Sequence, residues 1–215
     1  MDKKDKVKII LEKLEKAYGE PKVMLNYNTT FELLVAVILS AQCTDIRVNI
    51  VTEKMFKVVN TPEGFAKMEL EEIEEHIKST GFYRNKAKNI KKCSIQIIEN
   101  HNGEVPMDME KLVNLAGVGR KTANVVMGDT LKKPEGIVVD THVKRLSNRI
   151  GFVDSDNPII IERQLMEFVP KKDWFKYPNL LIHHGRARCI ARKPDCTNCE
   201  ILEYCIFGKN KKLIK

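Results

Sequence analysis

Apolar side chains recur along this chain at helical spacing almost throughout. Phe31, Leu34, Val35 and Ile38 fall on one face of a helix, as do Val48, Val51, Met55 and Val58, then Leu70, Ile73 and Ile77, then Ala87, Ile90, Cys93 and Ile97. No sustained strand-like alternation interrupts them, so the fold class expected is all-α. Boundaries are well marked: Thr61-Pro62 and Asn157-Pro158 read as cap-plus-proline starts, and Gly81, Gly103 and Gly151 stand where helices should stop. About ten helices are expected on this pattern. The most apolar run, Leu33 to Leu39, is far shorter than the roughly 20 residues that span a bilayer, and it reads as a buried helix.

The chain carries no low-complexity tract, fixed-period repeat or long linker; its nearest approach to a break is the turn Lys132-Lys133-Pro134-Glu135-Gly136. The last eight residues, GKNKKLIK, are basic and expected to fray. The N-terminus lacks the apolar core and cleavage site of a secretory signal, so no export is indicated. With 215 residues, of which 43% are apolar, the chain can bury a real core as one large domain or two small ones. The charge balance, 37 Lys and Arg against 29 Asp and Glu, suits a polyphosphate partner but also suits many ordinary proteins.

Residues 115 to 124, LAGVGRKTAN, are more telling. Val105 to Leu115 reads as a helix entered near Pro106 and Asp108, with Leu112 and Leu115 inward, and Lys121 to Leu131 as a second, with Val125 and Val126 available to the core. Between them, Gly117, Val118, Gly119 and Arg120 form a turn. Glycine there permits positive φ and close approach of another backbone, so that successive N–H groups can face one phosphate oxygen. This is a helix-hairpin-helix, although a bare Gly-x-Gly also serves simply to turn between helices.

Arg120 can serve a phosphate. Lys121 sits where the helix dipole disfavours a cation, and a neutral amine is a nucleophile. Lowering a lysine pKa from about 10.4 to about 7–8 takes on the order of 4 kcal/mol, whereas a helix end supplies about 0.3–1 and at most about 2. Desolvation and the Arg120 charge must supply the rest; otherwise Lys121 is a solvated lysine. Downstream, the short apolar run Ile137 to Val139 ends in Asp140, and helical spacing resumes at Val143, Leu146 and Ile150. Asp140 is an N-cap by position, and the same fixed carboxylate could orient the amine, take its proton and balance charge on a sugar ring. His142, His183 and His184 are read as structural.

Four of the six cysteines, Cys189, Cys196, Cys199 and Cys205, lie at intervals of six, two and five residues, while Cys43 and Cys93 stand apart. This is a metal site rather than a disulfide framework, and it calls for a reducing compartment. One knuckle alone is unlike a structural zinc, and the spacing is also unlike ferredoxin runs, so iron–sulfur is favoured only modestly. Arg186, Arg188, Arg192 and Lys193 surround the loop and suit it to grip phosphates.

Together LAGVGRKTAN, VDTH at Val139 to His142, LSAQCTD at Leu39 to Asp45, GFYRNKAKNI at Gly81 to Ile90 and the cysteine loop resemble the endonuclease III family, DNA glycosylases with AP-lyase activity. The resemblance runs from about Leu11 to Cys205. It implies a two-domain helix-hairpin-helix glycosylase fold with DNA in the cleft: a six-helix domain over 23–133, and a discontinuous helical domain of 1–22 and 134–215 holding a 4Fe-4S cluster on the four cysteines. It also implies that Lys121 is the nucleophile and Asp140 its partner. Gln42 would fill the gap left by an extruded nucleotide and Phe82 would act as the wedge, with Arg84, Gly117, Val118, Gly119, Arg120, Arg186, Arg192 and Lys193 on the DNA backbone. The implied function is base-excision repair of oxidised pyrimidines in duplex DNA, by a monomer in the cytoplasm or nucleoid with no membrane partner. Alternatives are a mismatch-directed thymine or uracil glycosylase, an adenine-removing relative (disfavoured by Lys121 and by the chain ending soon after Cys205), and a non-catalytic DNA-binding module with structural zinc. Ala116 and Cys43 stand where the family often has proline and alanine.

Overall fold

The computed structural model describes residues 1–20 and 22–213. In chain order the helices are α1 (Lys3–Tyr18), α2 (Thr30–Ser40), α3 (Asp45–Met55), α4 (Pro62–Lys67), α5 (Leu70–Ile77), α6 (Tyr83–His101), α7 (Met109–Val113), α8 (Arg120–Leu131), α9 (Thr141–Ile150), α10 (Pro158–Met166), α11 (Lys176–Ala187) and α12 (Ile206–Leu213). Among the described residues there is no strand, so the fold is all-α. The chain falls into two compact units, Met24–Lys132 and a discontinuous one made of Met1–Val23 and Lys133–Lys215.

The Met24–Lys132 unit is built around α2, which is apolar on every side and buried from Phe31 to Leu39. Burying a side chain such as Leu33, Leu34 or Leu39 contributes about 1.5–3 kcal/mol each. Its one buried acid, Glu32, is satisfied: its two carboxylate oxygens accept from the Asn28 backbone N–H and from Asn60. The long α6 turns Ala87, Ile90, Cys93 and Ile97 inward. Pro62 starts α4 behind the Thr61 cap, as the sequence pattern requires. The unit carries seven helices rather than six, two of them of six residues or fewer. Val58 is not part of the core; α3 ends at Met55, the chain turns, and Val59 takes the buried position. The first limb of the hairpin is also shorter than its periodicity suggests, because Asp108 caps α7 by accepting from the Lys111 N–H and the helix runs only five residues.

In the discontinuous unit, α11 packs against both α1 and α9. Tyr177 is fully buried, with its hydroxyl 2.9 Å from that of Ser147. Lys3 and Lys6 lie along Phe168 and Phe152 while donating to the carbonyls of Phe152 and Ile150, which fixes α1 against the end of α9. The segment expected to fray is instead mostly helical: residues 208–213 complete α12, with the Gly208 N–H donating to Cys205 Sγ, while the last two residues lie outside those described. No described helix is long and apolar enough to cross a membrane.

Candidate active site and cysteine loop

The hairpin turn is held from within its unit. Gly117 has φ of +76°, and a Cβ on it would stand 2.8 Å from the Cβ of Asn89 on α6. Gln96 grips the same turn from α6, accepting from the Ala116 N–H at 2.8 Å and donating to the Asn114 carbonyl at 3.2 Å. Val118 is buried and its N–H donates to Leu115. Beyond this anchored side, Gly119 is the N-cap of α8 with φ of −89°; no side chain caps the helix, and the space where a Cβ would stand is open. The positive end of α8 is therefore left accessible to an anion. Arg120 and Lys121 follow, both exposed.

Two further residues flagged by sequence occupy strained backbone. Gln42, in the turn after α2, has φ of 52°, and Phe82, the N-cap of α6, has φ of 48°. Bulky side chains rarely adopt this region. Both are exposed, Phe82 by 66%. Next to Phe82, Arg84 lies over the Tyr83 ring and 3.8 Å from Glu74. Asp140 lies in the other unit and is the N-cap of α9: its Oδ1 accepts from the Val143 N–H at 2.8 Å, which fixes the carboxylate rigidly.

Cys189, Cys196, Cys199 and Cys205 all line one cavity. Around a single zinc ion, sulfurs at about 2.3 Å from the metal would stand about 3.8 Å from one another. Among the described residues, the trio of potential ligand atoms that converges within 4.8 Å is instead His184, Cys199 and Glu200. Burial raises the thiol of Cys199 to about 12, helped by its neighbours Cys205, Glu200 and Cys189, and burial likewise raises Cys205. Four thiolates in this setting call for a strong positive charge to hold them together. Arg149 braces the loop by donating to Cys189 Sγ at 3.2 Å and to the carbonyls of Ile190 and Ala191, while its guanidinium lies over Phe207.

The cations of this loop divide into two sets. Arg188 pairs internally with Asp195 at 2.8 Å and Glu200 at 3.2 Å, so it stabilises the loop instead of facing a phosphate. Arg186, Arg192 and Lys193 are exposed. His184 is buried against the cysteines, with Nε2 3.6 Å from Cys199 Sγ and Nδ1 2.9 Å from the Tyr18 hydroxyl. Burial pushes its pKa down to about 4, with Glu200 opposing and Arg188 adding to the shift. Sequence spacing gave no sign of this convergence, nor of the roles of Gln96, Asn89 and Arg149. The partners of Gln96 and most of those of Arg149 are backbone atoms, and such pairings leave no motif.

Residues 35–171 match the HhH-GPD superfamily base excision DNA repair protein family. Endonuclease III of Synechocystis sp. is 49% identical over 203 residues, covering 94% of this chain and 93% of the relative. The solved structure of a non-covalent endonuclease III–DNA complex is 42% identical and superimposes with a TM-score of 0.90 over 100% of both chains. A trapped endonuclease III–DNA covalent intermediate, the estranged-adenine complex, is 42% identical with a TM-score of 0.89 over 99% of this chain and 100% of that one. With hairpin, capped carboxylate and four-cysteine loop all in place along a match of this length, the chain belongs to the endonuclease III family within the HhH-GPD base-excision repair superfamily.

Proposed function

We propose that this protein removes oxidised pyrimidines from duplex DNA and then cuts the strand at the abasic site, acting as a monomer. The observation that carries the reading is Lys121 at the second position of α8, directly after an anchored turn whose open face exposes the helix N-terminus. A relative of 42% identity trapped covalently on DNA supports the same chemistry.

In this reading Gly119, Arg120 and the first N–H groups of α8 hold a backbone phosphate, and Gln42 and Phe82 enter the duplex as the damaged nucleotide is everted. DNA closing over the exposed Lys121 excludes water from its amine. Asp140 takes a proton from the ammonium, and Nζ attacks C1′ as the glycosidic bond breaks and the base leaves with its electron pair. Ring opening gives an imine between Nζ and C1′. Loss of a proton from C2′ then expels the 3′ phosphate, which is β-elimination, and water releases the sugar remnant and regenerates the amine. Cys189, Cys196, Cys199 and Cys205 fit a 4Fe-4S cluster, which would pin the loop that presents Arg192 and Lys193 to phosphates and supplies no bond-breaking step.

Strand cleavage of duplexes bearing thymine glycol, 5-hydroxycytosine, uracil or a G·T pair tests the reading. Cleavage of the two oxidised bases, with a 3′ unsaturated aldehyde product and little action on uracil or G·T, is expected. Base release without strand cleavage, or preference for G·T, would overturn it.

A further inference from the structure

Gln42 and Phe82 sit on different loops of the Met24–Lys132 unit, both at positive φ. Such conformations are costly for a residue other than glycine and persist only where the surroundings impose them. Packing cannot impose them here, because both side chains are exposed. What the two loops share is Lys86. It lies in the first turn of α6, is 5% exposed, and its ammonium donates to the Leu39 carbonyl and the Thr80 carbonyl, each at 2.8 Å. Leu39 stands three residues before Gln42, and Thr80 stands two before Phe82. One buried cation thus ties together the backbones that launch both loops.

The choice of lysine is expensive for folding alone. A buried ammonium is costly unless it is paired, and the partners of this one are two neutral carbonyls. Its two acceptors are carbonyls at the end of α2 and at the end of the 3-10 turn Lys78–Thr80, groups that have no helical partner of their own. Burial lowers the Lys86 pKa, with half-buried Cys43 acting in the opposite sense. A methionine would fill the space without this cost, but it would leave both carbonyls unpaired and the loops free to separate.

We infer that Lys86 is a positioning residue that sets the spacing between the Gln42 and Phe82 loops, so that both side chains enter the duplex together. This rests on the reading of those two as the inserted residues. Lys86 touches no reacting atom, and its effect is confined to substrates whose nucleotide must be pushed out of a stacked helix.

The test compares Lys86→Met, with Lys86→Gln in parallel as a variant that keeps a donor, against Gln42→Ala and Phe82→Ala. Three readouts are taken: single-turnover excision of thymine glycol from duplex, β-elimination at an abasic site in single-stranded DNA, and backbone amide exchange. Lys86→Met is expected to slow duplex excision on the order of 100-fold, to leave single-strand elimination within about twofold, and to speed exchange at 40–43 and 80–83 together. Combining it with Gln42→Ala and Phe82→Ala should add little further loss on duplex. Equal slowing on both substrates, a wild-type duplex rate, exchange confined to one loop, or failure of both Lys86 variants to fold would each overturn the inference. If Gln42→Ala and Phe82→Ala themselves leave duplex excision unchanged, the insertion reading fails first and this inference falls with it.

Discussion

The two glycines of the hairpin have different jobs, and replacing each by alanine separates them. Gly117→Ala places a Cβ at φ of +76° and 2.8 Å from the Asn89 Cβ. Left-handed backbone costs a non-glycine residue about 1–2 kcal/mol, and forcing a methyl into packed space costs about 1–3 kcal/mol. The stiffer unfolded chain returns about 0.4–1 kcal/mol, leaving a net loss of about 2–4 kcal/mol. For a chain of this size, each kcal/mol moves the unfolding midpoint by about 2–4 °C, so a fall on the order of 10 °C is expected. Gly119→Ala meets open space at an ordinary φ of −89°. Alanine is a poorer N-cap than glycine, which costs less than about 1 kcal/mol, so the midpoint should stay within about 3 °C. On DNA, however, the added methyl stands where a phosphate must approach. Losing one hydrogen bond to a charged group costs about 1.5–3 kcal/mol, which weakens binding about 10- to 100-fold. Circular dichroism melting and fluorescence anisotropy on a duplex with a tetrahydrofuran abasic analogue, at one fixed salt concentration, measure the two effects. A Gly117→Ala midpoint within 2 °C of wild type, on the order of experimental error, or wild-type DNA affinity for Gly119→Ala, would refute the assignment.

Asp140 can be tested the same way, since its capping and chemical roles come apart. Asp140→Asn keeps an acceptor for the Val143 N–H and should melt with the wild type, whereas Asp140→Ala should lose about 1 kcal/mol of stability; both should lose most strand cleavage in a single-turnover assay. Cys93, which is 2% exposed and whose thiol burial raises to about 12 from 9, should carry about 1000-fold less thiolate at pH 8 than an ordinary thiol. It should remain unmodified by iodoacetamide in the folded protein, as peptide mass spectrometry would show, while half-buried Cys43 is alkylated.

Much of the helical scaffold was legible because burial and periodicity are local properties. The faces of α2, α5, α6 and α9, and the proline starts of α4 and α10, stand where the apolar spacing places them. The discrepancies have equally local causes. Periodicity alone extends α3 to Val58, but a turn after Met55 hands the core position to Val59. The first limb of the hairpin reads as Val105 to Leu115, but the Asp108 cap starts it at Met109 and it ends at Val113. The motif residues were legible as chemistry, namely two glycines, a lysine after them, an acid at a helix start and four clustered thiols. What sequence does not carry is the support around them. Lys86, Gln96 and Arg149 act largely through backbone carbonyls brought near by folding, and Arg188 looks like a phosphate ligand until Asp195 and Glu200 are seen beside it.

The most direct measurement is borohydride reduction of the protein during turnover on a thymine glycol duplex, followed by proteolysis and mass mapping of the cross-linked peptide. A deoxyribose remnant on Nζ of Lys121, absent from Lys121→Ala, is the expected result. An adduct of equal yield in Lys121→Ala, or one mapping to another lysine or to the N-terminal amine, would contradict the assignment of the nucleophile.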